Sequence, residues 1–301
     1  MVGVQGRING ELATRMGSAL DAAASSFLIG LAVLAIAMPT RIAATRRLRP
    51  AQVRWWWWLG GLGGAFLVGT SAHAVPEVGV ALVSVCIVAG TTGGALLTDQ
   101  FGLGPSGRHT ATFWRFAGVG VVIAAVAIGA IGEHGASFKP ALFAVLFVAG
   151  ATTAVQQAAN GQLRMISDDV VVASFVSFLV GSLALVVAGF VTGDFASRSL
   201  PSAAWLYLGG PLGVVYILVG AATVKRLGVL RFMLGVVAGQ LLAAVVIDAA
   251  WPAPHTTLRA TTIAGAVVTF VGVWLSGRDE TPRADREADM TAASPSGDSD
   301  V

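Results

Sequence analysis

Residues 5–30 read QGRINGELATRMGSALDAAASSFLIG, and residues 156–181 read QQAANGQLRMISDDVVVASFVSFLVG. At a constant offset of 151, without a gap, Gln5, Asn9, Gly10, Leu12, Ala22, Ser26, Phe27, Leu28 and Gly30 return as Gln156, Asn160, Gly161, Leu163, Ala173, Ser177, Phe178, Leu179 and Gly181. Further along, at an offset of 149, Trp56, Gly60, Gly61 and Gly64 match Trp205, Gly209, Gly210 and Gly213. Gly79, Ala89, Gly90 and Asp99 match Gly228, Ala238, Gly239 and Asp248 in the same way. The chain therefore reads as two copies of one unit.

The surroundings of those motifs set the fold class. Of 301 residues, 55% are hydrophobic and only 12% are charged, with a mean hydropathy of +0.77. Soluble domains run near 45–50% apolar and about 25% charged, so this chain lacks the charge to cover a water-facing surface. That excludes a soluble enzyme, and the hydrophobic content also excludes a disordered or collagen-like chain. Apolar runs occupy about 19–38, 56–75, 78–97, 113–131, 140–159, 170–191, 205–224, 229–247 and 259–276. Each is close to the roughly 20 residues that a helix needs to cross the hydrocarbon core. Their interiors hold no Lys, Arg, Asp or Glu; Asp21, Arg115, Arg231 and Arg259 fall near the ends. Long continuous runs also argue against a barrel, whose strands alternate with period two over about 10 residues. The expectation is an all-α integral membrane protein with nine complete helices.

An odd number of helices per copy places the copies in opposite orientations, an inverted-topology repeat. The Gln156–Asn160 motif ends an apolar helix beginning near Lys139, whereas its counterpart starts only a few residues after Met1. The expected plan is two five-helix repeats: ten helices, the first shortened to a stub. A start codon assigned too late and a real nine-helix chain are the two readings of that stub. Residues 1–133 form the first repeat, 134–276 the second, and 277–301 a polar, disordered tail. No cleavable signal peptide is visible, because residues 1–18 lack an apolar core.

Charge sets orientation. The net charge is +3, with −4 in the tail from Arg278 onward and +7 before it. The cations sit in short loops, which reads as a topology signal and not as a nucleic-acid surface. Arg41, Arg46, Arg47, Arg49 and Arg54 share one side with Arg108, Arg164, Lys225, Arg226 and the tail. With Arg115 and Arg231, 14 of the 19 basic residues lie there. That side is expected to be cytoplasmic, C-terminus included, with Trp55 to Trp58 as an interfacial aromatic belt. Cys86, the single cysteine, permits no disulfide within the chain.

The pattern Q-x-x-x-N-G-x-L, then S-F-L-x-G, then L-G-G and A-G-Q…D resembles the YdcZ-like branch of the drug/metabolite transporter (DMT) superfamily, EamA-like. It stands here as Gln156, Asn160, Gly161 and Leu163; Ser177, Phe178, Leu179 and Gly181; Leu208, Gly209 and Gly210; and Ala238, Gly239, Gln240 and Asp248. The resemblance spans essentially residues 4–276. The first half departs from it: Thr91 stands where the second has Gln240. The resemblance implies a ten-helix inner-membrane carrier built from two inverted bundles, and names no substrate.

Polar groups at membrane depth are the candidate site, because in lipid they must find partners or line a cavity. Gln5 with Asn9, and Gln156 with Asn160, are spaced i, i+4 and share a helix face. Two readings stay open: a polar-solute site from both repeats, or amides that cap helix ends and glue helices. Gln156 lies deepest. Gln240 sits mid-helix, with substrate contact and packing both open. Ser26 and Ser177 either join the site or bond back to their own helix carbonyls. Asp99 and Asp248 end equivalent helices, as solvated or Arg-paired charges or as proton-coupling groups. GGLGG at 60–64 and GGPLG at 209–213 allow close helix approach, and Pro211 is expected to bend its helix. His73 and Glu77, four apart, read as a surface pair.

No phosphate-binding loop, nucleophile elbow or zinc motif occurs, so no cofactor, metal or catalytic residue is expected and the chain is not read as an enzyme. The expected function is secondary transport of a small metabolite or drug-like solute by alternating access. The expected partners are that solute and the bilayer, and a homo-oligomer is compatible with the sequence. The alternatives are a non-transporting scaffold or partner-dependent subunit, and a lipid-headgroup flippase.

Overall fold

A computed structural model describes residues 2–108, 112–131, 140–193, 200–250 and 260–276. The expected repeat boundary at 133/134 and the tail 277–301 lie outside these residues. Among the described residues there is no strand. The helices, in chain order, are α1 (Val2–Met16), α2 (Ala19–Ala37), the single turns α3 (Ile42–Thr45) and α4 (Trp55–Trp58), α5 (Gly60–Gln100), α6 (Phe113–Ile131), α7 (Pro140–Ser167), α8 (Val170–Thr192), α9 (Gly209–Ala250) and α10 (Ala260–Ser276). Helices fall on every expected apolar run. Five stretches are long and apolar enough to cross a membrane: Ala19–Thr45, Leu82–Gln100, Pro140–Ser167, Val170–Thr192 and Ala204–Arg226.

Two runs that the sequence divides into separate spans are joined as α5. Its 41 residues would extend about 62 Å if straight, twice the hydrocarbon thickness. Instead the helix turns back at Gly79, whose φ of 82° and ψ of 162° suit a residue without Cβ. Pro76, just before, withholds a backbone donor where the ladder breaks. The neighbours on α7 establish the reversal. Gly60 packs on Asn160, Gly64 on Gln156, then Val75 and Val80 share a core with Phe143, and Thr91 and Ala95 return to Thr153 and Ala158. The first arm of α5 therefore runs antiparallel to α7 and the second runs parallel to it.

The 42-residue α9 folds back in the same manner. The Tyr216 and Phe232 rings lie 6.3 Å apart, against about 24 Å along a straight helix. Trp205 and Leu208, at its start, line one pocket with Ile247 near its end. Pro211, expected to bend a helix, sits instead in the first turn of α9, where a missing donor breaks nothing.

Lipid offers no hydrophobic drive for helices to associate, so close approach of small residues has to supply the contact. Side chains at Gly61 and Gly210 would collide with the backbone carbonyls of Ser177 and Ser26. Gly90 and Gly150 likewise seat the second arm of α5 on the backbone of α7. α2 and α8 cross with reciprocal contacts: Phe27 covers Gly181 and Phe178 covers Gly30, so the two run antiparallel. The rings meet at 5.1 Å with a 37° tilt.

The basic loops converge on one end of the bundle. Arg41 pairs with Asp169 at 3.0 Å and Arg47 with Asp168 at 3.3 Å. Asp169 also caps α8, accepting from Val171 and Val172. At the same end, Arg164 donates to the Ala222 carbonyl, Gln162 to that of Leu103 and Arg108 to that of Gln100. The opposite end carries Arg15, paired with Glu11 and stacked 5.6 Å from Trp205. Arg7 is buried within α1.

Candidate functional site

The Gln-Asn motifs do not end their helices. α1 continues to Met16 and α7 to Ser167, through the Asn-Gly pairs, so the amides lie inside the bundle and not at capping positions. A helical run that continues past Asn-Gly needs tertiary contacts that favour it. Gly10 and Gly161 supply them, seated against Val75 and Pro105 where a larger residue would collide.

Gln5 of α1 and Gln156 of α7 line one cavity of about 30 Å³, room for only a water or two. Phe27 of α2, Phe178 of α8, Tyr216 of α9 and the glycines Gly64 and Gly213 complete the wall with Leu67, Val68 and Ile217. No ionisable carboxylate or amine lines it. Gly64 abuts the Gln156 amide and Gly213 abuts the Gln5 amide, leaving each carboxamide room beside backbone. The paired glycine motifs thus do two things: they bring helices to contact and they house the amides.

The serines lie behind the cavity. Ser26 donates to Asn9 Oδ1 at 2.6 Å, and Ser177 accepts from Gln156 Nε2 at 3.1 Å. Neither bonds back to its own helix, contrary to one of the two sequence readings. Instead each hydroxyl holds an amide of the preceding helix, one helix apart in the chain. All four residues are essentially buried.

Asn160 is different. It is fully buried, and neither its Oδ1 nor its Nδ2 has a hydrogen-bond partner. Gln157, one turn back toward the cavity, is also fully buried, and neither amide atom completes a hydrogen bond, although the Tyr216 hydroxyl stands beside it. A buried polar group left unpaired costs about 1–3 kcal/mol. Sequence reading passed over Gln157; the available signal was its i, i+3 spacing from Asn160 within an apolar run.

The other candidates lie elsewhere. Gln240 is buried on the second arm of α9 and does not line the cavity. Asp99 is buried at the end of α5, at the basic end of the bundle, also away from the cavity. The side chain of Asp248 lies outside the described residues, as do those of Arg115 and Arg259. No cluster of metal-ligating groups occurs among the described residues.

A larger groove of about 890 Å³ lies among α5, α7 and α8. His73 and Glu77, 3.5 Å apart, stand in its wall as the expected surface pair. The rest of the lining is Leu, Ala, Phe, Val, Gly and Pro apart from Thr70, which gives little to orient a polar solute.

The arrangement as a whole is a helical bundle with buried amides at its centre, a charge-poor cavity and one basic end. No curated protein and no solved structure matches the chain. A family model described as "Putative inner membrane exporter, YdcZ", of the DMT group, matches residues 1–128 and 141–275. Such a match, across nearly all of the helical sequence, means that this multi-pass inner-membrane protein belongs to the YdcZ family of DMT-type transporters.

Proposed function

We propose that this protein exports a small uncharged solute by alternating access, using two inverted five-helix units that rock about the cavity between Gln5 and Gln156. One observation carries the reading. Two glutamines 151 positions apart, each the first residue of a repeated motif, line one and the same cavity. The antiparallel crossing of α2 and α8, with Phe27 and Phe178 exchanging places, supports the inversion. So does the matching order of elements, helix, helix, hairpin, helix, in each half. Ligand sites at the interface of such repeats are the common design of secondary carriers.

The cavity holds amides and rings but no charge, so it suits a neutral donor–acceptor solute better than a cation or anion. At about 30 Å³ it is far smaller than a metabolite or drug-like solute, so transport through it would require the helices to part. The absence of a nucleotide-binding motif argues for a gradient as the energy source. The basic end is assigned to the cytoplasm, and with it the C-terminus.

The test is flux. Proteoliposomes would be screened with neutral metabolites and drug-like compounds, and Gln5→Ala and Gln156→Ala compared with wild type. Each substitution is expected to cut flux at least tenfold without changing the monodisperse yield. Flux that survives both would remove the cavity from the pathway, and no flux of any solute would favour a scaffold. The large apolar groove with its His73–Glu77 pair favours a lipid-headgroup flippase as the second reading, which scrambling of a fluorescent lipid would detect.

A further inference from the structure

We infer that residues 38–58 form a docking platform for anionic phospholipid headgroups, with Arg46, Arg49 and Arg54 taking the phosphodiester oxygens. The segment joins α2 to α5 and reads MPTRIAATRRLRPAQVRWWWW, with five arginines and no acid. Single helical turns follow one another along it, at Met38–Arg41, α3, Pro50–Gln52 and α4. Val53 is buried with Leu163, Ala173 and Val176, and Leu48, Trp57 and Trp58 pack on the same cluster. Arg41 and Arg47 fasten the segment to Asp169 and Asp168 at the start of α8. The platform is therefore folded onto α7 and α8.

Those contacts divide the arginines. Two serve the fold. The other three, Arg46, Arg49 and Arg54, are exposed and meet no acid among the described residues. The acids described at this end are already placed: Asp168 and Asp169 are paired, and Asp99 is buried.

The partner follows from the position. The platform lies between the end of α2 at Ala37 and the start of α5 at Gly60, where one apolar run leaves the bilayer and the next enters it. Trp55 is 75% exposed and Ile42 55% exposed among the arginines. Indole rings settle at headgroup depth, and cations at that depth attract anionic lipid. A soluble polyanion would leave Trp55 and Ile42 without an apolar neighbour. All five cations are arginine, whose planar fork meets two phosphate oxygens at once. The connection itself does not require them. In the second half, residues 193–208 join α8 to α9 with one cation, Arg198, and one acid, Asp194. Orientation depends on the number of cations on a side, not on a folded segment that turns three of them outward.

The test is a thermal-shift titration of the full chain in dodecyl maltoside. The probes are phosphatidylglycerol, phosphatidylcholine with the same acyl chains, and inorganic phosphate. Phosphatidylglycerol is expected to raise the melting temperature above the level reached with phosphatidylcholine. In the triple variant Arg46→Gln, Arg49→Gln, Arg54→Gln the half-effect concentration should rise about tenfold or more, since each cation at an anionic surface is worth roughly fivefold in affinity. Salt at about 1 M, where the screening length falls to about 3 Å, should remove the preference. Arg15→Gln, at the opposite end, should keep it. Equal responses to the two lipids would overturn the inference, as would a triple variant with the wild-type response to phosphatidylglycerol. So would a shift reproduced by inorganic phosphate, which would make the ligand a free anion. A triple variant that melts lower in phosphatidylcholine would give the arginines a partner within the chain, such as the tail with its net −4, and would overturn it too. None of these readouts needs a transported solute, so this inference and the transport reading fail separately.

Discussion

Gln5, Asn9 and Ser26 in the first half correspond residue for residue to Gln156, Asn160 and Ser177 in the second, yet the two triads are bonded differently. In the first, the serine holds the asparagine, at 2.6 Å, and the glutamine faces the cavity. In the second, the serine holds the glutamine, at 3.1 Å, and the asparagine is left without a partner. A serine hydroxyl on the neighbouring helix reaches either amide, because the two lie one helical turn apart on the same face. Identical chemistry thus permits two arrangements, and each half displays one. The alternating access proposed above would draw on elements of this kind, with two discrete arrangements.

The largest effect is expected where the two halves are alike. Gly61 and Gly210 seat the glycine motifs on the carbonyls of Ser177 and Ser26, so Gly61→Val and Gly210→Val should each destabilise by about 3 kcal/mol, the upper range for overpacking. Fluorescence-detected size exclusion would read this as lost monodisperse protein. Gly120→Ala, in open space on α6, should leave the profile intact. Equal tolerance at all three positions would mean that the helix contacts are not as drawn.

A middle effect separates the triads. Asn9→Leu removes the partner of Ser26 and should cost about 1–3 kcal/mol, visible as a lower melting temperature, whereas Asn160→Leu should not. Ser26→Ala is expected to lose about 1 kcal/mol, and its effect should vanish in an Asn9→Leu background. Additive losses would break the pairing, and equal costs at Asn9 and Asn160 would erase the difference between the halves.

The smallest effect concerns the basic end. Arg41 is tied to Asp169, a residue that also caps α8, while Arg47 meets the largely exposed Asp168. Arg41→Ala should cost about 0.5 kcal/mol, lessened at high salt, and Arg47→Ala close to nothing. A melting series from low to 1 M salt distinguishes them; a salt-independent loss at Arg41 would point to packing.

Sequence alone showed the helical membrane class, the places of the apolar runs and the repeated motifs, because lipid imposes a helix on any span and its length is set by bilayer thickness. The gathering of cations in alternate loops was legible for the same reason. Gln5 and Gln156 could be selected because amides at membrane depth are costly and few. What the sequence left open was the partner of each amide. Asn-Gly read equally as a helix stop, and only the seating of Gly10 on Val75 and Gly161 on Pro105 shows why the helices run on. The serines read in the first place as bonded to their own carbonyls, and only the crossing of helices brings Asn9 and Gln156 within reach.

Tertiary structure also decided how the spans connect and which polar groups stay unpaired. Gly79 with Pro76 turns two runs into one hairpin, a choice between loop and broken helix that composition does not encode. The candidates divided once helices packed: Gln5 and Gln156 on the cavity, Asn9 locked to Ser26, Asn160 joined by Gln157, and Gln240 and Asp99 away from it. Hydropathy and periodicity report what each residue wants from its solvent, and so they determine where the chain enters the membrane. Hydrogen bonds between helices depend on approach within about 3 Å, and that is decided only when glycine-lined surfaces meet.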